Sequence, residues 1–183
     1  MSKHILSVMM ASAVLSGVFT VQTASATTLT VSGGTIHFIG SVADAPCSVS
    51  ANSEHGVIML DQVTLDSMGV KGEASGQAKA FDIALEDCNV TTYQNATVTF
   101  NGQATPDQAG ALANTAGSGA ATGVALQLFG PDGNKLDLGA ASSSQVLATG
   151  TNNIPMSVDY IKTGDTATAG AVESVATFQI SYS

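Results

Sequence analysis

Two cysteines, Cys47 and Cys88, are the residues best able to do chemistry in this sequence. Two cysteines can form a disulfide or contribute to a metal site. A structural zinc site takes four ligands. After the first 26 residues, the only histidines are His37 and His55, and there is no Cys-x-x-Cys motif. The sequence therefore favours a Cys47–Cys88 disulfide over metal ligation, and predicts neither a metal nor a cofactor.

Groups suited to catalysis are sparse. Serine and threonine are abundant, but a nucleophile needs a base beside it. His37 lies in an alternating run and His55 in a turn-like run, so each is interpreted as a solvated side chain. The carboxylates of Glu86-Asp87, or of Asp132 with Asp137, could bind a cation, but strand ends and turns explain them better. We therefore expect that the protein is not an enzyme and has no catalytic residue.

The charge balance narrows the possible partners. The chain carries 5 Lys and Arg against 14 Asp and Glu, for a formal net charge of -9. Such an acidic chain offers no basic surface for nucleic acid or for anionic membranes. Charged residues make up only 10%, too few for a coiled coil or for a solvated disordered chain.

The first 26 residues have the organisation of a secretory signal peptide. Lys3 supplies a basic start, an apolar stretch runs from Ile5 to about Phe19, and Ala24-Ser25-Ala26 offers the small residues of a cleavage site. We predict cleavage after Ala26. An exported chain meets an oxidising compartment, which is a further reason to expect the disulfide.

The rest of the chain shows the period-2 alternation of half-buried strands. Glycine, asparagine and aspartate clusters separate the alternating runs, and no helical period is sustained. This pattern predicts an antiparallel β-sandwich. Residues 104–123, rich in small and polar side chains, are predicted to be a flexible surface loop. The alternating runs are 36–42, 81–86, 96–100, 124–128, 154–160 and 177–182.

Both ends of the predicted mature chain favour assembly. The alternating run at 36–42 precedes the first cysteine, and the last run ends at the final residues of the sequence. A sandwich with a missing edge strand has an open groove, which an extended segment of a partner can fill by strand addition.

Several motifs together resemble the type 1 family of major fimbrial pilins. The resemblance spans essentially all residues after the signal peptide and is weakest at 50–79 and 101–123. The motifs that carry it are Gly33-Gly34-Thr35-Ile36-His37-Phe38-Ile39-Gly40, Val42, Asp44-Ala45-Pro46-Cys47, Phe81-Asp82-Ile83, Glu86-Asp87-Cys88, Gly150-Thr151-Asn152-Asn153-Ile154-Pro155, Gly170, Ala176-Thr177-Phe178 and Tyr182.

The resemblance implies an all-β fold, an incomplete immunoglobulin-like β-sandwich lacking its C-terminal strand and completed by donor-strand complementation. It implies a signal peptide at 1–26, a donor-strand extension at 27–46 and a pilin domain at 47–183. The implied function is that of a structural subunit, exported through the periplasm to the cell surface. There it would polymerise non-covalently by donor-strand exchange into the fimbrial shaft used in cell adhesion.

The resemblance also assigns roles to residues and partners. Expected partners are neighbouring copies of the subunit, a periplasmic chaperone, an outer-membrane usher and a tip adaptor or adhesin. The alternatives are a minor adaptor pilin of the same system and a secreted carbohydrate-binding module, for which Tyr93 is the only plausible loop aromatic. The implied donor residues are Ile36, Phe38, Gly40 and Val42, with Gly40 where the groove is too shallow for a side chain. The implied groove and chaperone-contact residues are Gly170, Phe178, Ile180 and Tyr182.

Overall fold

The computed structural model describes residues 30–40, 42 and 44–183, so the predicted signal peptide lies outside the described residues. The chain divides into two units, Met1–Gly40 and Ser41–Ser183. In the first unit, residues 30–40 are exposed and form neither helix nor strand. The described residues of the predicted strand, 36–40 and 42, form no strand within the single chain, because a strand exists only when its backbone bonds to a neighbouring strand.

The described residues of the second unit are nearly all β-structure. One helical turn, α1 (Ala51–Glu54), and one 3-10 turn, Leu65–Ser67, interrupt ten strands. No helix in the described residues is long and apolar enough to cross a membrane. The strands are β1 Ser48–Val49, β2 Lys79–Cys88, β3 Asn95–Gly102, β4 Ala104–Thr105, β5 Gln108–Ala113, β6 Val124–Phe129, β7 Lys135–Leu136, β8 Gln145–Val146, β9 Gly150–Lys162 and β10 Ala176–Tyr182.

The strands form two sheets. The larger has the order β1-β2-β9-β6-β5-β4, with β7 also paired to β6, and the smaller has the order β10-β3-β8. All of these pairings are antiparallel. Leu85 and Ile154 of the larger sheet share one buried core with Val98 of the smaller sheet. The predicted antiparallel β-sandwich is confirmed, because alternation placed one face of each strand in this common core.

The flexible loop predicted at 104–123 is wrong for its first half. Strands β4 and β5 pair with each other there, and Leu112 of β5 lies opposite Leu126 of β6. Ala111 and Leu112 are both buried. The sequence did not predict this strand because alanine and glycine differ little in hydrophobicity from the polar residues between them, so the two faces of the strand look alike. Ala111 is nevertheless buried in the sheet.

The Cys47–Cys88 disulfide is confirmed. It joins the residue before β1 to the last residue of β2, and both cysteines are buried in the core. The bond therefore fixes the start of the second unit's first strand to the larger sheet.

Candidate functional site

The last strand, β10, lies at an open edge of the smaller sheet. It pairs with β3 along its whole length, from Ala176 opposite Gly102 to Tyr182 opposite Ala96. Its other edge bonds to no strand in the described part of the chain. The inward-facing side chains of β10 pack against the core but remain only half-buried. The hydrophobic interior is thus open to solvent beside this strand.

The turn at α1 opens the larger sheet on the facing side. After β1, the Ser50 backbone N–H still donates to the Ala84 carbonyl at 3.0 Å. The Ala84 N–H then donates to the Ser53 hydroxyl at 3.0 Å. A side-chain hydroxyl takes the place of the next backbone carbonyl, so the pairing of β1 with β2 ends here, whereas the other edge of β2 stays paired with β9. The chain leaves β2 at α1, has no regular structure over residues 56–64, and enters the 3-10 turn at Leu65.

Residues 56–65, which we call the wall segment, form the side of the opening that faces β10. In the described part of the chain, no backbone group of residues 57–63 bonds to another backbone group. Side chains hold the segment instead. The Tyr160 hydroxyl donates to the Asp61 carbonyl at 3.1 Å, and the Lys79 ammonium lies 3.0 Å from the Asp61 carboxylate.

Two consecutive cavities lie along the wall segment, the larger facing the start of β10 and the smaller facing residues 168–172, which precede β10. The larger, of about 770 Å³, has Leu128, Leu126 and Val158 in its floor. The smaller, of about 260 Å³, has Val124 and Tyr160. Leu128, Leu126 and Val124 are alternate residues of β6, and Val158 and Tyr160 are alternate residues of β9. Since alternate strand residues share a face, the two cavities follow one line along the sheet and form one groove.

Each of the two groove walls borders both cavities. Residues 174–178 line the larger cavity and residues 168–170 with Val172 line the smaller one. On the facing side, the wall segment contributes Ile58 and Leu60 to the larger cavity and residues 62–65 to the smaller one. The groove is therefore a two-walled channel over an apolar floor. Among the described residues, its backbone is unpaired in residues 57–63 on one side and along the outer edge of β10 on the other.

Gly170 stands where the smaller cavity meets the loop before β6. A Cβ at this position would overlap the backbone of residues 119–121. The neighbouring Ala171 bridges to Ala120 in a parallel pairing. Only glycine allows this close approach of two backbones, which sets the position of the groove wall.

Tyr160 in the smaller cavity and Tyr182 at the end of β10 have perturbed ionisation. Burial raises the pKa of Tyr160, and the negative charges of Asp61 and Asp159 raise it further. Burial likewise raises the pKa of Tyr182. Both phenols therefore stay protonated up to higher pH than a solvated tyrosine does, and Tyr160 keeps the proton that it donates to the wall segment.

Two of the four predicted groove residues line this channel. Phe178 lines the larger cavity and Gly170 the smaller. Ile180 and Tyr182 share the inward face of β10 with Phe178, beyond the residues that line the larger cavity. Their roles in strand or chaperone binding remain predictions.

The predicted donor residues lie before β1. The side chain of Phe38 is 91% exposed, and Ile36 and Val42 are also exposed. No atom lies within 4 Å of the position that a Cβ would occupy at Gly40. Their donor role likewise remains a prediction.

The wall segment was missed by sequence reasoning. Ile58, which is 43% exposed, and Leu60 line the larger cavity, whereas Val57 and Met59 are 81% and 76% exposed and do not line it. Because all four residues of this run are apolar, the period-2 contrast that reveals a half-buried strand is lost. The run of four apolar residues was itself the available signal.

The architecture and the groove define a class of protein: a β-sandwich subunit whose open edge can accept a strand. Comparison with known proteins identifies the class further. Residues 36–183 match the model of the family described as Fimbrial protein. The type-1 fimbrial protein A chain of Escherichia coli is 39% identical over 168 residues, covering 89% of this chain and 90% of the relative.

Two further relatives agree. The fimbrial subunit type 1 of Klebsiella pneumoniae is 40% identical over 163 residues, covering 87% of this chain and 88% of the relative. A chain in the solved structure of a chaperone–usher pilus superposes with a TM-score of 0.69 at 26% identity, covering 86% of this chain and all of that chain. This chain belongs to the fimbrial protein family.

Membership confirms several predictions made from the sequence. The chain is a structural subunit of fimbriae with an immunoglobulin-like fold, and it polymerises with other pilin subunits. Subunits of this family are exported and assembled into fimbriae at the cell surface. The two alternatives, a minor adaptor and a carbohydrate-binding module, are not favoured by these relatives.

Proposed function

We propose that the groove of one subunit is completed by residues 36–42 of the next copy, so that the chain builds the fimbrial shaft by donor-strand exchange. The observation that carries this proposal is the combination of an unpaired β10 edge with half-buried apolar side chains behind it. A strand added there would satisfy the edge and cover the open interior.

The shape of the groove supports a register for the donor. Phe38 fills the larger cavity and Val42 the smaller, which matches the larger side chain to the larger space. Gly40 lies between the two cavities, where the lack of a side chain permits close backbone approach. Ile36 covers the inward side chains at the end of β10. Phe38 and Val42 are separated by about 14 Å in an extended strand, the length of four residues.

This register also gives a direction. The larger cavity lies beside residues 174–178 and the smaller beside 168–172, so a donor running from Phe38 to Val42 is antiparallel to β10. Antiparallel addition continues the pairing found in the smaller sheet. Unpaired backbone in residues 57–63 offers bonds on the donor's second edge.

The energetics favour a durable junction. Burying Ile36, Phe38 and Val42 contributes about 1.5–3 kcal/mol for each side chain. Each new backbone hydrogen bond adds about 0.5–1.5 kcal/mol. The donor lies before β1 and the groove beside β10, so the contact joins two different surfaces. Such a contact does not close on itself and generates a filament.

The proposed function also includes the assembly partners. An exported subunit with an open apolar groove needs cover before it reaches the fibre, because unpaired edges and exposed apolar surface cause aggregation. A periplasmic chaperone that lends a strand meets this need, and an outer-membrane usher carries out the exchange that adds the subunit behind a tip adaptor or adhesin. The likeness to a chaperone–usher pilus supports this pathway. The subunit's role is structural, without catalysis or cofactor.

The direct test supplies the missing strand within one chain. Residues 27–44 are removed and a copy of residues 34–46 is joined after Ser183 through a four-residue linker. A short linker suffices because the antiparallel register starts the donor beside the end of β10. We expect a soluble, cooperatively unfolding monomer by sedimentation and circular dichroism. The control chain carries a copy with Ile36, Phe38 and Val42 changed to serine. Equal stability of the two chains would refute the proposal.

A further inference from the structure

One residue of the donor breaks its alternation. In the proposed register Ile36, Phe38, Gly40 and Val42 face the groove, so Ile39 faces outward. Ile39 is 97% exposed in this structure. An outward position on a half-buried strand is ordinarily polar, because that face meets water. An isoleucine there is unexplained by the filling of the groove.

Both groove walls break their alternation at the same level. On the wall segment, Ile58 and Leu60 line the larger cavity while Met59 between them is 76% exposed. On the opposite wall, Val175 borders the larger cavity but is nevertheless 71% exposed, next to the half-buried Ala176. Each side of the channel therefore carries a large apolar side chain that is mostly exposed.

We infer that Ile39 of one copy packs between Met59 and Val175 of the next, forming an outer apolar clasp over the inserted strand. This inference rests on the proposed donor-strand exchange. Ile39 follows Phe38, which occupies the cavity lined by Ile58, Leu60 and residues 174–178. It therefore lies level with Met59 and Val175. Same-face neighbours on adjacent strands have Cβ atoms about 5 Å apart, within contact distance.

The clasp exists only in the assembled fibre. In the proposed register the donor occupies one strand position between the two walls, and two strand spacings would place Met59 and Val175 about 10 Å apart. The inserted Ile39 bridges this gap and shields all three side chains. The clasp therefore makes Ile39 a specificity-determining residue: a donor segment with a polar residue at this position loses both outer contacts and holds less tightly.

The test measures fibre dissociation with the full chain. Fibres bearing Ile39→Thr, Met59→Thr or both changes are sheared from cells, and their dissociation rate is followed in a fixed concentration of guanidinium. Each single change should raise the rate about two- to thirtyfold, the range for the loss of one or two cross-strand contacts. The double variant should dissociate no faster than the faster single variant, because both changes remove the same contact.

Matched variants separate the possible outcomes. Val146 is an exposed valine, 80% exposed, that lines neither cavity, so Val146→Thr should leave the rate unchanged. Unchanged rates for Ile39→Thr, or effects of the two changes that simply multiply, would overturn the clasp. Phe38→Ala reports on donor-strand exchange itself. If Phe38→Ala weakens fibres and Ile39→Thr does not, only the clasp is wrong; if neither matters, the proposed function fails as well.

Discussion

Replacement of Phe38 by alanine is the sharpest test of how the groove is filled. The ring is 91% exposed in the single chain, and the proposed register buries it over Leu126, Leu128 and Val158 in the larger cavity. Truncation of a buried phenylalanine to alanine costs about 3–5 kcal/mol, the sum of lost burial and the residual cavity. We expect this loss when the change is made in the donor copy joined after Ser183.

The assay is equilibrium unfolding of that single chain by guanidinium and by heat. For a chain of this size the expected loss corresponds to a fall in Tm of roughly 6–20 °C. His37→Ala in the same copy is the control, because an outward-facing side chain should change the free energy of unfolding by less than about 0.5 kcal/mol. Similar losses for the two variants would refute the assignment of inward and outward faces.

Further predictions concern Gly40, which lies between the two cavities in the proposed register, the disulfide, and the two tyrosines. Gly40→Val should abolish fibres while leaving the circular dichroism of the subunit unchanged; fibres of normal length by electron microscopy would exclude the register. Replacing Cys47 and Cys88 by serine should lower the free energy of unfolding by about 4 kcal/mol, measured by guanidinium titration; a loss below 1 kcal/mol would contradict this. The raised pKa values of Tyr160 and Tyr182 mean that the folded state holds these protons more tightly than the unfolded state does. Their stabilising contribution is complete below the ordinary pKa of about 10 and is lost as pH rises through the folded-state values. The folded subunit should therefore lose stability in alkali as tyrosinate absorbance appears, and Tyr182→Phe should reduce the loss; unfolding that precedes tyrosinate formation would argue against it.

The sequence predicted the strands whose two faces differ most. Residues 81–86 and 154–160 alternate cleanly, and they lie in β2 and β9, which pair along most of their length. Prediction failed where the two faces of a strand differ little in hydrophobicity. Ala111 is buried in β5, but a strand of small residues carries no periodic signal. In the wall segment, the apolar run at 57–60 hid which side chains face the groove.

By itself, the sequence determined the sandwich, the disulfide and the family resemblance, because alternation, cysteine number and local motifs are properties of a linear chain. Only the tertiary structure decided where the interior is open. The groove depends on the Ser53 hydroxyl, which ends the pairing of β1 with β2 at Ala84, and on Tyr160, which holds the wall segment at Asp61. These contacts join residues 31 and 99 positions apart, and no local pattern encodes such distant pairs.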